Sequence, residues 1–408
     1  MKANTTNFTA IDIGSSKISI LAADIDKLGN ARIGYQSLYK SSGIKGGLIK
    51  DFQQAENSII SSIYNLEMEM QVNITSVSIA ISGVGTKSVF LYKKVKLLDG
   101  KVKHNDLKTL HDIMIQEVNH DETTVIHYFP IEYTLDQNQS ITNPVGMYGT
   151  VLGCKMHLVT ANSSQVTNIL HFFSKCNIEV KEILLGSYAA GLAVLTDDEK
   201  MLGSVVIDLG AETTSFAVFS GGKLIYTKFV PLGGDKITSD IAKVLSISMN
   251  NAEKLKVMYG SAVVINKDSE SLINLAEFSS GASIDEEHNI TSNELSMIIN
   301  VRVEEIIDIV KSEYDKAAVD HLVARRIVLT GGGSQLRGVK DVVSTIFSKQ
   351  VRIGAPVNIP GFEDDHTSQS YCASIGIIKN EIISAETKPS IAKVSKNLFQ
   401  KLTVWFKK

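Results

Sequence analysis

An α/β architecture in two matching halves is the fold class this sequence predicts, and three observations predict it. The stretch Ala10-Ile-Asp-Ile-Gly-Ser-Ser-Lys17 recurs in loosened form as Val206-Ile-Asp-Leu-Gly-Ala-Glu-Thr-Thr214. Short apolar runs of strand type alternate with stretches of three- and four-residue apolar spacing through both halves of the chain. A third apolar run, Ile327-Val-Leu-Thr330, ends in Gly331-Gly332-Gly333. In each of the two repeated stretches a buried-strand pattern runs into an aspartate, one apolar residue, a glycine and small polar side chains. The glycine permits a tight reversal, and hydroxyls with their backbone N–H groups can face an anion. Two such turns from separate halves, facing each other, would grip a polyphosphate from both sides.

Strand patterns open the first half at Phe8–Ile13, Ser16–Asp24 and Ala31–Leu38, and a helix follows over Gln54–Met70, with apolar Ile59, Ile60, Ile63, Leu66 and Met70 at helical spacing. Val77–Ser82 is a further strand. Gly83-Val-Gly-Thr-Lys87 is not a P-loop, because its glycine–lysine spacing is wrong and a strand-like segment follows it. Residues 85 to about 158 change texture, mixing strands (Lys87–Leu98, Thr123–Leu135) with one helix (Asn105–Val118), which reads as a small α+β insertion. The main pattern resumes with strand Lys155–Thr160, helix Ser164–Lys175, strand Glu179–Leu185 and an Ala/Gly-rich helix Ser187–Leu195.

The second half restates the theme from about Gly203: Ser204–Leu209, Ser215–Phe219, a Gly221-Gly222 hairpin, Lys223–Pro231, then Gly233-Gly234-Asp235 before a helix Lys236–Leu245. A polar stretch at about 247–292 reads as strand-rich. An amphipathic helix over Thr291–Tyr314 buries Leu295, Ile298, Ile299, Val303, Ile306, Ile307 and Val310. Ile327–Thr330, the three glycines, helix Gly338–Phe347 and a last helix Ser368–Ser384 complete the body. Three glycines without β-carbons let a flat ligand or a phosphate approach the backbone closely.

Composition narrows the function. With 408 residues the chain exceeds one ordinary core, so two or more domains are expected. A net charge of −3, with no long basic block before the terminus, gives no global attraction to nucleic acid. Cys154, Cys176 and Cys372 are scattered, and His111, His127 and His171 sit in no ligand spacing, so neither a disulfide framework nor a zinc site is expected. The N-terminus lacks a signal-peptide core, and no apolar run approaches the ~20 residues that span a bilayer. These features predict a cytosolic body.

The last segment differs from the rest. A polar linker at 385–393, broken by Pro389, precedes 394–408. On a helical projection Val394, Leu398, Phe399, Leu402, Trp405 and Phe406 fall within about 140° of one another, with Lys396, Lys401, Lys407 and Lys408 outside that arc. Val404 falls on the wrong side. The pattern is that of a helix lying in a bilayer interface, with Leu398, Phe399, Leu402, Trp405 and Phe406 inserted and lysines facing anionic lipid.

The three glycine-bearing turns, in this order and separation, resemble the two phosphate motifs and the adenosine motif of the actin, Hsp70 and sugar-kinase superfamily. Tyr226-Thr-Lys-Phe-Val-Pro-Leu-Gly-Gly-Asp-Lys-Ile-Thr-Ser-Asp-Ile241, Ala252-Glu-Lys-Leu-Lys256 with Tyr259-Gly260, and Val351-Arg-Ile-Gly-Ala-Pro356 narrow the resemblance to the bacterial cell-division FtsA family, from about residue 8 to the C-terminus. The resemblance implies an actin-like two-domain ATPase fold, with duplicated ribonuclease-H-like halves and an inserted subdomain. It implies subdomain 1A at 1–84 and 159–202 plus a closing helix at about 368–384, 1C at 85–158, 2A at 203–240 and 311–367, and 2B at 241–310.

It also implies roles. Gly14, Ser15, Ser16 and Lys17 would hold the outer phosphates of ATP from one side, and Gly210, Thr213 and Thr214 from the other. Asp12 and Asp208 would orient Mg²⁺ through its waters. Gly331, Gly332 and Gly333 would pass under the nucleotide, Gly234 would also touch it, and Glu253 and Lys256 would bracket the adenosine, although those two equally fit a plain helix-surface ion pair. Arg302 matches a contact position for the C-terminal peptide of the tubulin-like protein FtsZ, or is a solvated helix residue. Two departures stand out: Gly210-Ala-Glu-Thr-Thr-Ser215 places Glu212 near the phosphates, and Gly186-Ser187 occupies the place where hydrolysing relatives carry Glu-Pro. ATP binding with little or no turnover is the expectation.

The resemblance implies a cytoplasmic, peripheral inner-membrane adaptor at the division site. It would bind ATP, polymerise with itself, anchor FtsZ to lipid and recruit later division proteins. A sugar- or acetate-kinase activity is the rival reading, disfavoured because no aspartate is placed as its base. A pilus-assembly relative of the same fold is the other, disfavoured by the lipid-type terminus and the Arg-Ile-Gly-Ala-Pro segment.

Overall fold

Two five-stranded sheets are built to one plan. The computed structural model describes residues 6–26, 29–83, 85–264, 271–278, 289–323, 326–356, 359–362 and 368–386. In the first sheet the order is Glu179–Leu185, Ser76–Ile81, Thr6–Ile13, Lys17–Ile25, Ala31–Lys40. In the second it is Gln350–Ile353, Arg326–Thr330, Ser204–Leu209, Thr214–Ser220, Lys223–Val230. In both, the first three strands run parallel and the last two return as an antiparallel meander. The correspondence holds residue by residue: Asp12 lies opposite Ser19 and beside Ala80, and Asp208 lies opposite Ser215 and beside Thr330.

The apolar runs explain why these segments are central strands. Ile11, Ile13, Ile18 and Ile20 of the first half, and Ile207, Leu209, Phe216 and Val218 of the second, are all buried. Strands covered on both faces carry near-continuous apolar runs, and each such side chain stabilises the fold by about 1.5–3 kcal/mol on burial. Between the sheets lie helices Gly186–Val194 and Cys372–Glu386. They approach so closely that a β-carbon on Gly376 would stand 1.7 Å from the Ala189 carbonyl oxygen. Ala189, Ala190 and Ala193 share one core with Val206, Ala217, Phe219 and Val328 of the second sheet, so the two halves meet on these helices.

The insertion is a four-stranded sheet in the order Lys87–Lys96, Val151–Asn162, Thr123–Leu135, Asn138–Ile141, with helix His104–Val118 packed against its core. This corrects the placing of Lys155–Thr160 in the resumed main pattern, because those residues belong to a long inner strand of the inserted sheet. Leu152, Cys154, Met156 and Leu158 pack in the inserted core. Val159 and Ala161 pack in the first-half core, so one strand serves two cores.

The reading of 247–292 as strand-rich is likewise corrected. Helix Met249–Tyr259 lies there, begun by Ser248, whose hydroxyl accepts the Asn251 N–H at 3.2 Å. Only Leu272–Asn274 and Asn289–Thr291 are strands among the described residues of that stretch. The helix buries just Ala252 and Leu255, too few to print a helical period on the sequence. The long helix runs over Ser292–Lys316 behind a capping box in which Thr291 and Glu294 satisfy each other's backbone N–H. Strand Gln350–Ile353 and helix Asp197–Leu202 were too short to read as periodic segments. Among the described residues no helix is long and apolar enough to cross a membrane. The amphipathic 394–408 segment, with Leu398, Phe399, Leu402, Trp405 and Phe406, lies outside the described residues.

Candidate functional site

The two aspartyl turns close in the same way. The Gly14 N–H donates to the Lys17 carbonyl at 3.1 Å, and the Gly210 N–H donates to the Thr213 carbonyl at 2.8 Å. A β-carbon on either glycine would stand 2.8 Å from that same carbonyl oxygen, which is why both turns need glycine. The second turn is braced from beneath: Gly234 and Asp235, at the start of helix Gly234–Val244, donate their N–H groups to Gly210 at 3.0 Å and Ala211 at 2.7 Å. Gly234 therefore supports the turn through its own N–H.

The aspartates themselves face one another electrostatically. Burial raises the Asp12 carboxyl to about 7, helped by the charge of Asp208 and opposed by Lys17. Burial alone raises Asp208 to about 6. The Oδ1 oxygen of Asp12 is buried without a hydrogen-bond partner. Asp208 meets the third element directly, because a β-carbon on Gly331 would lie 2.2 Å from its Oδ1. Gly331 has φ +81°, so it is glycine by both conformation and contact.

Lys17 ties the three elements together. Its Nζ donates to the Ser370 hydroxyl at 2.6 Å, and a β-carbon on Gly332 would stand 3.6 Å from it. Burial lowers its proton affinity, and the charges of Glu253 and Asp12 oppose that. Glu253 and Lys256 form an ion pair of 2.6 Å. The Lys256 ammonium also reaches the Thr238 hydroxyl at 2.8 Å and the Gly234 carbonyl at 3.3 Å. The predicted set Asp12, Lys17, Asp208, Gly331, Gly332, Gly234, Glu253 and Lys256 thus converges on one cleft.

Three predicted residues have different surroundings. Thr214 is fully buried and donates its hydroxyl to the Leu232 carbonyl at 2.7 Å, so that hydroxyl is committed inward and does not face the cleft. Ser15 accepts the N–H of Gly47 at 3.3 Å. Arg302 stands apart on the long helix, where its guanidinium binds Asp240 and Glu305. Ser370 and Thr238 join the site without a signal of their own in the sequence. Ser370 meets Lys17 across 353 residues of sequence, a juxtaposition with no local signal. Thr238 lay inside the family-like 226–241 segment without being singled out.

The donor set fits an Mg²⁺-bound polyphosphate. A partnerless buried carboxylate oxygen and two carboxyls with raised proton affinity are relieved by a nearby cation. Among the described residues no three His, Cys, Asp or Glu groups are placed to hold a metal ion by themselves, so an ion here would complete its shell with water and ligand oxygens.

The sequence model of the family described as cell division protein FtsA matches residues 205–376, and that of the SHS2 domain inserted in FTSA matches residues 83–160. The chain is 28% identical to cell division protein FtsA of Escherichia coli (strain K12) over 410 residues, covering 98% of this chain and 95% of that one. It is 29% identical to the FtsA of Agrobacterium fabrum over 383 residues, 91% of this chain and 86% of that one. The chain belongs to the FtsA family.

Solved structures show that the chain has an actin-like fold. The PilM-PilN type IV pilus biogenesis complex superposes with a TM-score of 0.66 at 14% identity, over 92% of this chain and 99% of that one. MreB5 of Spiroplasma citri bound to ADP superposes with a TM-score of 0.53 at 14% identity, over 93% and 98%. The inserted four-stranded unit coincides with the SHS2 match, which gives the FtsA family its particular form of this fold.

Proposed function

We propose that this FtsA-family protein binds ATP with Mg²⁺ between its halves and assembles into actin-like filaments that anchor FtsZ to the cytoplasmic face of the inner membrane. The observation that carries the reading is the convergence of the Asp12 turn, the Asp208 turn and Gly331 on one cleft. That an MreB of the same fold was solved bound to ADP supports a nucleotide as the occupant. Asp12 and Asp208 would hold the ion through water, N–H groups of the two turns with the Ser16 and Thr213 hydroxyls would face the phosphates, and Gly331–Gly333 would lie beneath the nucleoside. The bound ion supplies charge neutralisation for the phosphates.

Turnover is expected to be slight. Gly186, where hydrolysing relatives carry a carboxylate, has no side chain, and Ser187 after it is buried against the Thr227 hydroxyl at 3.2 Å. Nucleotide then acts as a conformational ligand, biasing the disposition of the halves and hence the contacts between subunits. The 394–408 segment would add lipid affinity per subunit, and polymerisation would multiply it. Fluorescent ATP titrated into the full chain, with and without anionic vesicles, tests the reading. Saturable, Mg²⁺-dependent binding that strengthens with vesicles is expected, and no saturable binding under either condition overturns it.

A further inference from the structure

Glu212 belongs to the second turn, yet its carboxylate accepts the backbone N–H of Gly46, from the short hairpin Ile44–Ile49 of the opposite half. The next N–H, of Gly47, is taken by Ser15 of the first turn at 3.3 Å. The hairpin is fixed to its own half, because a β-carbon on Gly47 would lie 2.4 Å from the Ser82 carbonyl oxygen and 2.8 Å from the Gly83 Cα. The Gly46–Glu212 bond therefore spans the cleft between the halves, beside the space the two turns enclose. The charge of Glu212 is felt there: burial raises the proton affinity of Asp235, Lys256 opposes that, and the charges of Glu212 and Glu253 add to it.

We propose that Glu212 is a resident anion that holds Gly46 in place of the outermost phosphate, so that the cleft distinguishes a nucleoside triphosphate from a diphosphate. The inference rests on the nucleotide reading above. A single N–H proton serves one anion well, and two anions in one low-dielectric cleft repel. A terminal phosphate between the turns meets the Glu212 charge and competes for the Gly46 N–H. A diphosphate leaves both undisturbed. Triphosphate binding thus breaks a bond between the halves that diphosphate binding keeps, and this is the difference a filament can read.

The test compares the full-length protein with Glu212→Gln and Glu212→Gly. In nucleotide-free protein, amide exchange of residues 44–49 is expected to quicken about tenfold in Glu212→Gly, the loss of one charge-assisted hydrogen bond, and much less in Glu212→Gln, which keeps an acceptor. ATP, and not ADP, added to the unsubstituted protein should quicken the same segment. In Mg²⁺ titrations both variants are expected to gain about tenfold in ATP affinity while ADP affinity moves less than about threefold. Equal shifts for the two nucleotides, or unchanged exchange at 44–49 in Glu212→Gly, overturn the proposal. If neither nucleotide binds the protein or its variants, the nucleotide reading fails and takes this inference with it. Binding with an unaltered ATP-to-ADP ratio refutes this inference alone.

Discussion

The charge of Asp208 raises the proton affinity of Asp12, although the two lie in different sheets at the same register position. Their raised values mean that the nucleotide-free fold binds protons more tightly here than the unfolded chain does. Stability from this pair is fully present below the ordinary carboxylate range near 3.8 and is lost as pH rises toward 6 and 7.

Asp12→Asn is therefore expected to stabilise the nucleotide-free protein at pH 8, by about 1–3 kcal/mol, and to flatten its stability between pH 4 and 7. Thermal unfolding across that range measures it, and an unchanged or lowered midpoint at pH 8 would refute the electrostatic account. The same substitution should weaken Mg²⁺-nucleotide binding. In the unsubstituted protein that binding should strengthen as pH rises through 6 to 7, because the carboxylates must ionise to attract the cation, and chelation of Mg²⁺ by EDTA should reverse it.

Gly331→Ala has two faults at once. Its backbone has φ +81° and ψ 167°, a region almost confined to glycine, and the new methyl would meet the Asp208 carboxylate. A loss of at least about 1–3 kcal/mol in stability is expected, with nucleotide affinity falling too. Gly34→Ala is the control: its methyl would meet nothing within 4 Å, and the change should stay within about 0.5 kcal/mol. Equal effects at the two positions would show that the strand-to-loop junction at Gly331 tolerates a side chain.

The duplication was legible because buried parallel strands and their glycine turns leave a contiguous mark, as in Ile11-Asp12-Ile13-Gly14 and Ile207-Asp208-Leu209-Gly210. Helix caps at Asp51, Asn162 and Thr291 are equally local, and each accepts a backbone N–H three residues on. What the sequence hid is contact across distance. Nothing near Thr214 announces that its hydroxyl turns to Leu232, and nothing near Glu212 points to Gly46. Lys155–Thr160 reads as a main-pattern strand for a related reason, since one apolar run cannot say which of two cores each residue enters.

Two histidines lock the insertion to the rest of the molecule in their neutral form. His127 Nε2 accepts the Leu185 N–H at 2.9 Å, and His157 donates from Nδ1 to the Leu224 carbonyl at 3.0 Å while Nε2 accepts from the Ser88 hydroxyl at 2.9 Å. Burial lowers both, to about 3 and about 4. Their neutral form costs nothing above pH 6.5, but below it the unfolded chain takes up protons that the fold refuses, so stability falls as pH drops from 6.5 toward 4. His157→Gln should reduce that slope by up to about 1.4 kcal/mol per pH unit. Chemical denaturation at pH 5 and pH 7.5 measures it, and an unaltered slope would refute the assignment.

A variant ending at Ser384 removes the amphipathic segment with its Lys396, Lys401, Lys407 and Lys408. Each lysine near an anionic surface contributes about 1 kcal/mol, and the apolar face adds to that. Co-sedimentation with anionic vesicles should fall by tenfold or more, and neutral vesicles should capture even the full chain less well. Equal pelleting of the two proteins would refute membrane anchoring by this segment.

Arg302 offers the sharpest test of partner binding, because its ion pairs are separable from the peptide contact that the family resemblance implies. Its guanidinium bridges Asp240 on the neighbouring helix and Glu305 on its own, with about a quarter of the side chain exposed. Met297 and Val301 on the same helix are 50% and 68% exposed, so the surface beside it is apolar. Removing the guanidinium costs little stability, since ion pairs this open contribute about 0–1 kcal/mol. It does leave two carboxylates facing any arriving chain. Arg302→Ala is therefore expected to weaken binding of the FtsZ C-terminal peptide at least tenfold with a nearly unchanged melting temperature, as a contact residue should. Asp240→Ala, which frees the guanidinium, should leave peptide affinity intact or raise it. If both substitutions weaken the peptide equally, the ion pair itself shapes the surface and Arg302 makes no contact of its own. If neither moves the affinity, the peptide binds elsewhere on the molecule.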